Sequence, residues 1–369
     1  MSHANCWLFL CATPLHYLAA RKVASLAPAG TRRVLVWYKP SLETMVDPGE
    51  WDAALAAPWP RFAPMPGPMG RHRRLLANLD TVAAAIGRCD ELVIHSPVFD
   101  TEAINYYLRG LPPMVGAHVM HARILPDGLL NIQRYPLSAI KRIGQYLRKL
   151  RRLISPRLDY WCFSGDRIGS DAPFVDRIYT LAGFPHRYPP HKVVALPPLA
   201  DSSAASTDLQ DTALVIGQPL VGIGAMSRRE LDAVSEEIGE WIRARGIERI
   251  HYKQHPRDHD AELCLPHYRR IELDEALESH MARHRYAAII GVCSTALFTA
   301  RQIYGPQMPI LAFGMDRMIF KGEGKKAGTE ALMENLDIRI MPAPRGTATQ
   351  ADFDATLSNH TQTDRKSQD

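Results

Sequence analysis

Arg249-Ile250-His251-Tyr252-Lys253-Gln254-His255-Pro256 is a strand-like run that stops at a histidine and a proline. A second stretch, Tyr286-Ala287-Ala288-Ile289-Ile290-Gly291, is apolar and leads to Ser294-Thr295, after which Ala296 to Tyr304 shows a helical pattern. Strand, polar turn and helix in this order are the repeating unit of an α/β protein with a parallel sheet. In open α/β sheets, ligands bind beyond the carboxyl ends of the strands. Unpaired N–H groups and the helix dipole make a helix start receptive to phosphate. An imidazole and two hydroxyls at such ends predict a site for a nucleotide phosphate.

Outward from these stretches the same alternation runs through the chain. Trp7 to Ala12 reads as a strand and Leu15 to Leu26 as the helix after it. Further strands are expected at Val34 to Tyr38, Glu91 to His95, Met114 to Ile124, Tyr160 to Phe163, Lys192 to Leu196 and Pro309 to Phe313. Helices are expected at Leu75 to Ile86 and Asp100 to Leu108. Pro58 to Pro68 is proline-rich and reads as a loop. Ala200 to Thr212 offers little to bury and reads as an interdomain linker. A second α/β unit then begins at Ala213. Its first helix opens with a Ser227/Glu230 capping box and turns Leu231, Val234, Ile238, Trp241 and Ile242 inward. The expected division is a first α/β domain at 1–205, a second at 206–345 and a disordered polar tail at 346–369. Two Rossmann-like α/β domains facing a central cleft are the GT-B architecture.

The chain has 369 residues, 46% hydrophobic and 22% charged, with a formal net charge of +5. That is an ordinary soluble globular composition with material for two domains. The charge favours anionic ligands or surfaces but does not by itself imply nucleic acid. Six cysteines occur without a C-x-x-C pair, so zinc and thioredoxin-like chemistry lack support. They read as reduced, mostly buried thiols of a cytoplasmic protein. Cys6 to Ala12 is too short for a signal peptide and lacks a basic start. No apolar run approaches the roughly 18 residues of a membrane span.

Ile140, Ile143, Leu147, Leu150 and Ile154 mark one face of a helix, flanked by Lys141, Arg142, Arg148, Lys149, Arg151 and Arg152. The bland reading is a surface helix with solvated cations. The sharper one is a patch for anionic lipid or an anionic polysaccharide acceptor, which places the protein peripherally at the inner membrane.

Each candidate site residue has an ordinary role beside the functional one. With 15 His and 28 Pro, chance gives about one His-Pro dipeptide. Lys253, Gln254 and Arg257 around it add cationic and hydrogen-bonding groups that suit phosphate. Ser294 is a natural helix N-cap, a role compatible with anion binding. Asp127-Gly128 is a common turn pair, and also a carboxylate able to take a proton from an attacking hydroxyl. Gly217 to Gly224 lacks the G-x-G-x-x-G spacing, and Pro219 interrupts the turn that a dinucleotide needs. No P-loop, nucleophile elbow, H-E-x-x-H or kinase motif is present.

Pro126-Asp127-Gly128, then His255-Pro256, then Ser294-Thr295 resemble the motif set of bacterial sialyltransferases in order and rough spacing. Cys11-Ala12-Thr13-Pro14-Leu15 is similar to the start of lipooligosaccharide sialyltransferases. Val215-Ile216-Gly217-Gln218-Pro219-Leu220 and Tyr252 to Arg257 resemble the bacterial polysialyltransferase-type family. The resemblance spans residues 6 to about 313 and rests on ordered co-occurrence, because each motif is short. It implies a GT-B glycosyltransferase with a CMP-activated sialic acid donor. Asp127 is then the general base. His255 contacts the donor phosphate and helps CMP depart as a general acid. Gly128, Lys253, Pro256, Ser294 and Thr295 line the donor, and Thr13, Pro14 and Gln218 belong to the wider site. Glu275 matches a glutamate that holds the cytidine ribose, with Glu272 and Glu278 as competitors. Pro126 departs from the acidic residue usual at its position, which leaves open a divergent sugar or a weakened enzyme.

A nonulosonic acid leaves CMP through an oxocarbenium-like state while the phosphate gains charge. Donors on that phosphate stabilise the transition state more than the ground state. The expectation is therefore inverting transfer to a glycan of surface polysaccharide or lipooligosaccharide, with no metal and no cofactor. The alternatives are another CMP-sugar, such as Kdo, legionaminic or pseudaminic acid, and a nucleotide-sugar-binding protein without turnover.

Overall fold

The computed structural model describes residues 2–127, 136–199, 207–274, 276–320 and 325–342. The chain separates into two compact units, 1–204 with 274–282, and 205–273 with 283–369. Residues 274–282 lie inside the range expected for the second domain but group with the first unit. There Ser279 Oγ donates to Met45 Sδ at 2.9 Å.

The first unit holds strands β1 (Ser2–Cys11), β2 (Arg32–Trp37), β3 (Ala53–Ala56), β4 (Arg88–Ser96), β5 (Val119–Ile124), β6 (Val175–Leu181) and β7 (Val193–Leu196). They form one sheet in the order β3-β2-β1-β4-β5-β6-β7, with every pair parallel. Its helices are α1 (Pro14–Ala24), α2 (Gly70–Ile86), α3 (Glu102–Asn105), α4 (Tyr107–Val115) and α5 (Ala139–Lys149). Leu8, Leu10, Val36 and Ile94 of the sheet share a core with Leu79 of α2 and Leu111 of α4. Trp7 to Cys11 is buried throughout. A parallel strand covered on both faces requires such an unbroken apolar run.

The second unit holds β8 (Thr207–Ile216), β9 (Arg249–Lys253), β10 (Arg269–Arg270), β11 (His284–Gly291), β12 (Ile310–Ala312) and β13 (Arg339–Ile340), with α6 (Arg228–Arg243), α8 (Thr295–Tyr304) and α9 (Lys325–Asn335), whereas α7 (Leu277–Arg283) falls, but for Arg283, in the segment that groups with the first unit. The sheet order is β10-β9-β8-β11-β12-β13, again all parallel. Counted from the first strand of each unit, both sheets follow the Rossmann order 3-2-1-4-5-6, and the first adds one strand. Two Rossmann-like units in succession are the GT-B plan. The order reverses between β1 and β4 and between β8 and β11, and such switch points open a crevice at the strand ends.

Several expected elements differ. Met114 and Val115 end helix α4 rather than start a strand, because Leu108, Leu111 and Val115 bury one helical stripe and Gly116, at φ 78°, closes the helix. Tyr160 to Phe163 forms no strand. The Trp161 N–H donates to Asn105 Oδ1 at 2.7 Å and its carbonyl accepts from Asn105 Nδ2 at 3.0 Å, so a side chain replaces a strand partner. The expected linker is strand from Thr207 onward; 200–206 and the tail beyond 342 lie outside the described residues. The Ser227/Glu230 capping box is present, and Leu231, Val234, Ile238 and Ile242 are buried. Among the described residues no helix is long and apolar enough to cross a membrane.

Candidate functional site

In the first unit, β1 ends at Cys11 and Thr13 caps α1. Thr13 Oγ1 accepts the N–H of His16 at 3.3 Å, and Pro14 supplies the first helical residue. Proline suits that position because its missing N–H has no helical partner there. The cap fixes His16 on the first turn of α1. The Ala12 N–H donates to His16 Nδ1 at 3.3 Å. A ring nitrogen that accepts carries no proton, so the neutral ring is protonated at Nε2. His16 Nε2 lies 2.7 Å from Asp127 Oδ1 and donates to it. Asp127 follows β5, and just past that strand the Leu125 N–H donates to Ser96 O at the end of β4 (3.1 Å). Thr13, Pro14 and Asp127 therefore gather around the β1/β4 switch point.

The two partners differ in access. The His16 side chain is 5% exposed and that of Asp127 21%. The carboxylate is the outer group and the imidazole stands behind it. Sequence reasoning missed His16. Its one local signal is its place three residues after the capping threonine.

In the second unit, β8, β9 and β11 are neighbours, and each carries an expected residue past its carboxyl end. β8 leads to Gln218, β9 to His255 and β11 to Ser294. Gln218 Oε1 accepts the Cys293 N–H at 2.8 Å. It thus bridges the β8/β11 switch point and holds the approach to α8. Ser294 is buried and caps α8, its Oγ accepting the Ala296 N–H at 3.3 Å. Its carbonyl accepts the Leu297 N–H at 3.0 Å. Two of the first helical N–H groups are thereby satisfied within the chain. What remains to meet an anion is the Ser294 hydroxyl proton and the exposed residue Thr295.

His255 is half-buried, Pro256 exposed and Lys253 half-buried at the end of β9. The Arg257 N–H donates to His255 Nδ1 at 3.0 Å, so this neutral ring also carries its proton on Nε2. Its loop is built by residues that sequence reasoning did not single out. The Asp258 N–H bonds His255 O at 2.9 Å, and Tyr252 Oη donates to Asp258 Oδ2 at 2.8 Å. Burial pushes the Tyr252 phenol up, followed by its hydrogen bond to Asp258, so it stays a donor. Glu262 accepts the N–H groups of Val221 and Gly222 at 2.7 and 2.9 Å, tying down the loop after Gln218. Gly217 has no room for a side chain: a Cβ there stands 2.2 Å from Tyr252 Oη. Close packing, not a dinucleotide, accounts for that glycine.

Gly128 and Glu275 lie outside the described residues, whereas Glu272 and Glu278 lie on either side of 275 within them. Cys11 and Cys293 flank the two groups of residues. Burial pushes both thiols up, so neither is a thiolate nucleophile at neutral pH.

Residues 181–308, which carry Gln218, Lys253, His255, Pro256, Ser294 and Thr295, match the family model described as alpha-2,8-polysialyltransferase (POLYST). Over those residues the chain is similar to that family. No curated protein matches it. Among solved structures it is similar to UDP-GlcNAc 2-epimerase from Methanocaldococcus jannaschii, at 10% identity and TM-score 0.44, covering 93% of this chain and 94% of that one. It is similar to CalG4, the calicheamicin glycosyltransferase, at 13% identity and TM-score 0.43, covering 92% and 86%. Phytolacca americana UGT2 is a third, at 10% identity and TM-score 0.44, covering 95% and 88%.

Proposed function

We propose that the protein transfers sialic acid, or a related nonulosonic acid, with inversion from a CMP donor to a glycan of bacterial surface polysaccharide or lipooligosaccharide. The observation that carries this reading is the gathering of Gln218, His255 and Ser294 on three adjacent strand ends, inside the segment that matches the polysialyltransferase model.

The roles follow from proton positions. His255 Nε2–H is a donor suited to the phosphate oxygen that gains charge as the sugar departs, and a protonated ring can pass that oxygen a proton. The hydroxyls of Ser294 and Thr295 add donors to the same phosphate, and Lys253 supplies positive charge for the sugar carboxylate. Asp127 accepts the proton of the acceptor hydroxyl. Its bond from His16 holds one carboxylate oxygen in place. Attack from the face opposite the departing phosphate inverts the anomeric centre. Charge on one phosphate is met by protein donors, so the reaction we propose needs no metal or other cofactor. The enzyme acts in the cytoplasm, peripheral at the inner membrane.

The test is CMP release from CMP-sialic acid in the presence of acceptor glycans, repeated with CMP-Kdo and with the legionaminic and pseudaminic acid donors. Turnover with one of these donors, unchanged by EDTA, is expected. Activity abolished by EDTA and restored by magnesium removes the metal-free mechanism. Pro126 favours a second reading, a nucleotide-sugar binder without turnover. Calorimetry separates the two: CMP binding without CMP release from any donor selects the binder.

A further inference from the structure

The α5 segment is amphipathic, and it is mounted with its polar side inward. Gln145 is the buried residue of α5. Arg148 donates to Tyr160 Oη at 3.2 Å and lies 3.8 Å from Asp100, while its carbonyl accepts from Tyr106 Oη at 3.1 Å. Arg151 pairs with Glu102 and donates to Tyr106 Oη at 3.1 Å. Arg142 donates to Ser164 O at 3.0 Å. Cations and a glutamine thus anchor the segment to the first unit.

The apolar stripe faces away. Ile140, Ile143, Leu147, Leu150 and Leu153 are 56–82% exposed. Soluble proteins seldom leave so many large apolar side chains side by side in water, and such a patch marks an interaction surface. Ile143, Tyr146, Leu147 and Leu150 line one surface depression with Lys149 and Arg152 at its edge. Lys141, Lys149 and Arg152 form no ion pair among the described residues, and 139–154 contains no aspartate or glutamate.

We infer that this face docks on an anionic lipid bilayer. The apolar stripe enters the headgroup boundary, to a depth of about 5–10 Å for such helices, while the cations meet lipid phosphates. A polyanionic glycan satisfies the cations but leaves the apolar stripe in water. A second copy covers the stripe but sets one cationic rim against another. A bilayer with negative headgroups meets both needs. The inference does not depend on the donor chemistry.

The test is co-sedimentation of the full chain with vesicles of phosphatidylcholine alone and of phosphatidylcholine mixed with phosphatidylglycerol, at low and high salt. Wild type binds the mixed vesicles, and salt weakens the binding. Lys141→Gln and Arg152→Gln each weaken it about fivefold. Ile143→Ser combined with Leu147→Ser weakens it roughly tenfold or more. Thermal unfolding of these variants stays at the wild-type temperature, because none of the four side chains holds the helix down. The inference fails if wild type ignores the mixed vesicles or if the apolar double variant binds as wild type does. It fails equally if wild type is a dimer that the double variant dissolves without any lipid binding.

Discussion

Two histidines, one in each unit, are prepared in the same way and used differently. His16 and His255 each accept a backbone N–H at Nδ1, which fixes the proton of the neutral ring on Nε2. His16 spends that proton on Asp127, is almost buried, and has become part of the support of a carboxylate. His255 is half-buried, and among the described residues its Nε2 has no partner. One ring is committed within the fold; the other is held ready for something outside it. The lesson is that local backbone geometry sets the proton position, while burial and a partner set the use.

Asp127→Ala is expected to lower kcat about a thousandfold with little change in KM, as removal of a general base does. Full turnover by this variant ends the assignment of Asp127 as base. His255→Ala is expected to cost about a hundredfold. His255→Gln sharpens the role: an amide keeps a donor but cannot transfer a proton. Partial recovery in the glutamine variant points to hydrogen bonding alone, and loss equal to alanine points to acid catalysis.

His16→Ala is expected to cost about tenfold in kcat, because it removes one charge-assisted hydrogen bond worth about 1.5 kcal/mol. The same change in an Asp127→Ala background is expected to cost nothing more. A double variant worse than Asp127→Ala alone assigns His16 a role of its own.

The smallest effect concerns stability and a third imidazole. His95 is fully buried against Phe9, with ring centroids 4.3 Å apart, and its Nδ1–H donates to Leu8 O at 3.3 Å. Burial, and then the charge of Arg123, hold its pKa well below the usual histidine value. The unfolded chain therefore takes up a proton below about pH 6.5 that the native state refuses. Stability is complete above that pH and falls as pH drops, by up to about 1.4 kcal/mol per pH unit. His251, lowered by burial and by Arg269, adds to the same window. Urea unfolding between neutral pH and pH 5 measures the slope, and His95→Phe is expected to flatten it. An unchanged slope excludes His95 as its source.

Alternation of apolar runs and helical patterns made both α/β units legible, because buried parallel strands and capped helices leave local signatures. Ser294 was readable as a cap, and Asp127, His255 and Gln218 as residues just past strands. What local pattern could not carry was pairing across distance. Asp127 lies 111 positions from His16, and nothing near His16 names its partner. The α5 stripe was visible as a period, but a period does not say which way a face turns. Asp100, Glu102 and Tyr160 decide that, and they belong to other segments. β3 was missed because Ala53-Ala54-Leu55-Ala56 has no β-branched residue.

The Thr13 cap carries one more consequence. An α-helix advances about 100° per residue, so the residue at which α1 starts decides where His16 points. Deleting one residue between Thr13 and His16 swings the ring a quarter-turn or more away from Asp127, although every side chain in the pair survives. Variation in this stretch is thus limited in length more strictly than in identity: substitutions at Leu15 are absorbed, whereas insertions and deletions are not.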